Sequence, residues 1–180
     1  MNFAEYNVKD ANLEEVLLAL KSLDTVEAVA LGGSRSTGAS DENSDYDIYV
    51  YCAEIPTAET RENLLGKYCS IAEFGNHYWE SEDNTVMNNG IPVDIIYREV
   101  DRFGRYIDTV IKGGKAFNGY TTAFWHNIKN SKVLFDKTGT FTKFRDMAQI
   151  DFPENLRSAI IKNNRNLLNG KLPSYDRQIK

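Results

Sequence analysis

Two aspartates, one residue apart, open an otherwise apolar run in Asp45-Tyr46-Asp47-Ile48-Tyr49-Val50. Side chains alternate along a strand with period two, so both carboxylates project from one face while Tyr46 and Ile48 point to the other. Like charges held this close repel, and a cation between them is the natural compensation. Mg²⁺ suits such a pair, because it takes a few carboxylates plus phosphate oxygens in preference to a closed protein cage. Asp94 repeats the anomaly in Val93-Asp94-Ile95, a lone acid between apolar neighbours on what is expected to be an adjacent strand. A third carboxylate completes a two-metal site, in which ions roughly 3.5–4 Å apart stabilise the attacking and leaving oxygens of an in-line phosphoryl displacement.

Chemistry of that kind needs a grip on a triphosphate. The apolar run Val26 to Leu31 ends in Gly32-Gly33-Ser34-Arg35, with Gly38 close behind. Such a turn brings backbone N–H groups and a hydroxyl toward anionic oxygens, and a helix starting there adds a favourable dipole. Arg35 is placed to pair with a phosphate. A Gly-Ser turn alone is most often only a turn, and an Asp-x-Asp pair is common at strand ends. The combination of turn, spacing, apolar flanks and a distant third acid is what carries the reading.

Gly33-Ser34, ten intervening residues, then Asp45-Tyr46-Asp47, with Asp94 later in an apolar strand, resembles the nucleotidyltransferase superfamily typified by polymerase beta. Within it the chain is similar to small bacterial aminoglycoside and lincosamide nucleotidyltransferases, which carry a catalytic domain followed by a helical one. The segment Lys132 to Asp136 before a glycine turn is similar to one that many of them contain. The resemblance implies that Asp45, Asp47 and Asp94 are catalytic and hold two Mg²⁺ ions, and that Gly33, Ser34 and Arg35 hold ATP or another nucleoside triphosphate. It implies transfer of AMP to a hydroxyl of a small molecule such as an antibiotic, with release of pyrophosphate. The acceptor's proton would go to Asp94 or to a nearby acid such as Glu80 or Glu82. Two alternatives stand beside this: AMPylation of a protein partner, as in antitoxin-type enzymes, and a nucleotide-binding regulatory module without turnover. The motif spans only residues 31–50 and 93–97, so the acceptor lies outside what it specifies.

Other chemistries lack their fingerprints: no GxxxxGK[ST], GxGxxG or HExxH is present. His77 and His126 are isolated and read as ordinary polar residues, and the aromatics Phe74, Tyr78, Trp79, Phe103, Tyr106, Tyr120 and Trp125 read as core. Cys52 and Cys69 make neither a disulfide framework nor a zinc spacing, so buried thiols are expected. A formal net charge of -5 weighs against a surface that tracks long nucleic acid. There is no apolar run of membrane-spanning length, and the acidic N-terminus lacks the basic and apolar regions of a secretory signal, which together predict a cytoplasmic protein.

The elements that must position these residues follow from periodicity. Asn12, with Glu15 at the capping-box position, is expected to start a helix whose buried face is Leu13, Val16, Leu17, Leu20 and Leu23. Strands are expected over 26–31, 46–52, 93–97 and 133–135, and a helix follows the Pro56-Thr57 cap to about Lys67. Residues 71–86 give no clean pattern, since aromatics that fit a strand are interrupted by Asn and Glu. Helices are predicted at Val100 to Ile111, ended by Gly113-Gly114, at Thr121 to Asn130, after the Lys137-Thr138-Gly139 turn, and from Pro153 to near Gly170. Ser174 is positioned to cap one more helix that the chain does not complete, which suggests truncation. The predicted fold is α/β (α+β), a small mixed sheet flanked by helices, with a catalytic domain at 1–150 and the beginning of a helical domain at 151–180.

Overall fold

A computed structural model describes residues 10–41, 44–78, 80–117 and 121–165. Its centre is a six-stranded mixed sheet in the order β3-β4-β5-β2-β1-β6. In chain order the elements are α1 (Ala11–Lys21), β1 (Val26–Leu31), α2 (Gly33–Thr37), β2 (Tyr46–Cys52), α3 (Ala58–Leu65), β3 (Cys69–Asn76), β4 (Ser81–Met87), β5 (Pro92–Glu99), α4 (Val100–Ile111), α5 (Ala123–Asn130), β6 (Lys132–Asp136) and α6 (Thr140–Ala148). A further helix, α7, covers residues 154–165. The expected stop near Gly170 and the cap at Ser174 lie outside the described residues.

The two central strands explain the rest. β2 and β5 run parallel, and every other neighbouring pair is antiparallel. Both are buried along nearly their whole length, so their side chains feed two cores. Ile48, Val50, Val93, Ile95 and Tyr97 pack against Leu13, Val16, Leu17 and Leu20 of α1 and Leu65 of α3. On the other face Tyr49, Tyr51 and Ile96 meet Phe103 and Ile107 of α4, Phe124 and Ile128 of α5, and Phe141 and Phe144 of α6. Tyr51 is the hub of that second core, with the rings of Phe103, Phe141 and Phe144 at 5.3–5.7 Å. Each such aromatic pair adds about 0.5–1.5 kcal/mol beyond the area it buries.

Two local expectations change. The first helix is capped by Asp10, not Asn12: the Asp10 carboxylate accepts from the backbone N–H groups of Asn12 (2.9 Å) and Leu13 (3.3 Å). A carboxylate at that position also meets the positive end of the helix dipole, which an amide does not. The patternless stretch 71–86 is a β-hairpin, β3 and β4. β3 is an edge strand with residues 70–73 exposed, so neither of its faces imposes an apolar alternation. Among the described residues no helix is long and apolar enough to cross a membrane.

Candidate active site

The strand pairing brings two of the three expected acids side by side. Asp47 and Asp94 are partners in the parallel register of β2 and β5, at the amino end of both strands, and both are half-buried. Asp45 lies just before β2 and is exposed. The pKa of Asp47 is raised, first by burial and then by the negative charges of Asp45 and Asp94. No Arg or Lys forms an ion pair with any of the three among the described residues. Nor are any three His, Cys, Asp or Glu side chains gathered into a ligand set there. The expected convergence is therefore looser than a closed cage: a registered pair of carboxylates with a third charge beside it.

The Gly-Ser turn is bound to this pair. Gly32 N–H donates to the Asp47 carbonyl at 2.8 Å. Gly33 has φ of +59°, and a Cβ placed there would lie 1.7 Å from Asp47 Oδ2. Only glycine lets the carboxylate lie against the turn. From Gly33 the chain enters the five-residue α2, which Gly38 ends in the left-handed conformation. The hydroxyls of Ser36 and Thr37 donate back to the carbonyls of Gly33 and Ser34. Ser34 spends its hydroxyl on no described partner, and it faces a cleft of about 220 Å³ whose opposite wall is α5, with His126, Asn127 and Asn130. Sequence reading passed over that wall, because nothing in an isolated His or Asn says which turn it will face.

Arg35 has a different task from the one expected. Its guanidinium donates to the carbonyls of Ser44 and Asp45 and lies 4.0 Å from the centre of the Tyr46 ring. It staples the loop that carries Asp45 to the turn that carries Ser34.

Asp94 is fixed from the neighbouring strand. Asn84 Nδ2 donates to Asp94 Oδ1 at 2.9 Å, and Asn84 Oδ1 accepts from Asn76 Nδ2 at 2.7 Å. This amide relay orients one oxygen of Asp94, and no described side chain bonds the other. Glu82 shares the face, and its pKa is raised by burial and by Asp94, Glu80 and Asp83. Glu80, expected among the proton acceptors, is clamped instead by Arg98 through two hydrogen bonds of 2.8 and 2.7 Å. The bidentate guanidinium occupies both carboxylate oxygens and fixes them in place. Burial pushes the Cys52 thiol up to about 12, in keeping with an inert core residue.

The model of the nucleotidyltransferase domain family matches residues 13–117, which includes the turn, all three acids and the Asn84 relay. Curated proteins bring no match. Among solved structures the chain is similar to a toxin–antitoxin with AMP-PNP, at 15% identity over 93% of this chain and 98% of that one, with a TM-score of 0.44. It is similar also to the toxin–antitoxin MntA-HpeT, at 13% identity over 95% and 100% of the two chains with a TM-score of 0.43. The Cid1 poly(U) polymerase aligns at 20% identity over 71% of this chain and 39% of that one, with a TM-score of 0.41. The specialisation to antibiotics that the sequence suggested gains no support from these matches. The family match, spanning more than half of the chain and enclosing the turn and the registered acids, makes this protein a member of the nucleotidyltransferase domain family and an enzyme of that type.

Proposed function

We propose that the chain transfers AMP from ATP, with Mg²⁺, to a hydroxyl carried by another protein. The observation that carries the choice of acceptor is the small size of the cleft beside the Gly33-Ser34 turn. The cleft beside Gly33 and Ser34 is about 220 Å³, below the ~300–1,000 Å³ in which a small ligand is usually enclosed. It has room for part of a nucleotide. A hydroxyl presented by a macromolecule brings its own wall and needs no pocket of this chain.

The residues fit a divalent cation. Asp47 and Asp94 are adjacent, half-buried and without a counter-charge among the described residues, and with Asp45 they offer the few carboxylates that Mg²⁺ takes when phosphate and water complete its shell. Bound there, the cation would offset the carboxylate charge and that of the nucleotide phosphates. Ser34 and the turn would hold the phosphates. The acceptor oxygen bonds to the α-phosphorus, the bond from that phosphorus to the bridging oxygen breaks, and pyrophosphate leaves. The acceptor's proton passes to the Asp94 oxygen that Asn84 leaves free.

Incubation with α-labelled ATP and Mg²⁺ tests this, with candidate protein acceptors in one arm and a panel of small hydroxylated molecules in the other. Label on protein, lost in Asp47→Asn, is expected. Label on a small molecule alone would overturn the choice of acceptor. ATP binding without label on anything would leave a regulatory module as the correct account.

A further inference from the structure

A second cavity lies at the other end of the same two strands, and no step proposed above uses it. β2 and β5 are adjacent and parallel, and the helices that follow them leave on opposite sides of the sheet: α3 packs on the face of α1, and α4 on the face of α5 and α6. Where neighbouring parallel strands send their helices to opposite faces, a crevice opens outside the carboxyl ends of the strands. Here that crevice is a cavity of about 670 Å³, within the ~300–1,000 Å³ range of small-molecule sites. Along β5 it stands four residues beyond Asp94, at Arg98, or roughly 13 Å at the rise of a strand.

Its walls divide into two kinds. Ile55, Pro56, Phe103 and Tyr106 supply apolar and aromatic surface. The polar groups are partly spent and partly open. Arg61 is held by Asp83 and Arg98 by Glu80, each through two hydrogen bonds. Arg102, His77 and Ser81 spend their side chains on no described partner. Tyr97, only 1% exposed, also lines the cavity. Its hydroxyl is buried without a partner at hydrogen-bonding geometry. The Asp83 carboxylate stands near it, with Oδ1 accepting from Arg61 and the Gly75 N–H and Oδ2 from Arg61. A buried hydroxyl left in this state costs free energy, and a ligand acceptor would relieve it. The N-terminus of the twelve-residue α4 opens on the same space, and Glu99, its N-cap, makes no side-chain cap. The first-turn N–H groups of that helix are thus open to an acceptor.

We propose that this crevice is a second binding site, for a small organic anion with a planar apolar body. The anionic group would meet Arg102, the start of α4 and the Tyr97 hydroxyl, and the planar part would lie against Phe103 and Tyr106. Glu99 and Glu80 set the limit on charge: with them in the wall, one anionic group is accommodated and a polyanion is not.

The test is an amide NMR titration of the whole chain with phenyl phosphate, benzoate and neutral benzyl alcohol as probes. Shifts confined to residues 56–61, 75–77 and 97–106 are expected with at least one anion, at the millimolar affinity proper to so small a probe. Whichever anion binds more tightly identifies the headgroup as phosphate or carboxylate. Arg102→Glu, a change at an exposed position, should weaken binding about three- to tenfold, and Arg102→Gln less. Binding should persist in Asp47→Asn, so the result stands apart from the fate of the transfer reaction. The proposal falls if neither anion shifts these amides, if benzyl alcohol shifts them equally, or if Arg102→Glu binds as well as the parent.

Discussion

The two ends of the β2/β5 pair carry charge on the same strands and treat it in opposite ways. At the carboxyl end Arg98 is buried and bound to Glu80 through two hydrogen bonds, and on the opposite face of the sheet Arg61 of α3 is buried against Asp83 of β4, with side chains 3% and 0% exposed. At the amino end Asp47 and Asp94 stand in register, half-buried, with a neighbouring Asp45 and no cationic partner among the described residues. Buried charge that is already paired supports a shape. Charge that is packed together and left uncompensated raises a pKa and awaits a ligand, which is why the acid end reads as the reactive one.

Breaking each end separately sharpens this contrast. The largest effect is expected from Asp47→Asn, which should lower label transfer from α-labelled ATP by about 10²–10³-fold or more while the chain stays folded. On the sheet's other face Asp83→Ala strands the Arg61 guanidinium in the core and should cost about 3–5 kcal/mol in urea unfolding, because one partner of a buried pair is removed and the other is not. Equal loss of stability from Asp47→Asn would erase the distinction between the ends. Asn84→Ala, which releases Asp94 Oδ1, should lower activity or cation affinity about 10–100-fold with little change in stability.

The smallest effect has a sign of its own. The folded-state pKa of Asp47 is raised, so the folded chain holds that proton more tightly than the unfolded one, and stability falls as pH rises from the ordinary aspartate range through the raised value. Above that window the charged carboxylate works against the fold. Asp47→Asn should therefore raise the melting temperature at pH 7 by about 1–2 °C, a small gain because the group is partly solvated. The gain should disappear in acid, as thermal scans across pH would show.

Much of this was legible in the sequence, and the exceptions share a cause. Apolar periodicity located β1, β2, β5 and the helices that cover them, and the spacing from Ser34 to Asp47 together with the lone Asp94 pointed to neighbouring strands. What failed to show was whatever depends on a partner distant in sequence. β3 has no buried face, as Ile71 at 65% exposure illustrates, so it leaves no alternation to read. Arg61 and Asp83 are 22 residues apart, and each looks like an ordinary surface charge until the fold buries both. Arg35 and Glu80 were assigned by residue type to a phosphate and a proton, and the structure gives both to protein partners.

Addition of Mn²⁺ in place of Mg²⁺, followed by amide NMR, tests the difference between the ends most directly, since the paramagnetic ion broadens only the signals near it. The account predicts broadening that is strongest at residues 32–34, 45–48 and 93–95, weaker along 97–106, and abolished in Asp47→Asn. Broadening centred on the Glu80 and Glu99 end, or undiminished by Asp47→Asn, would contradict it.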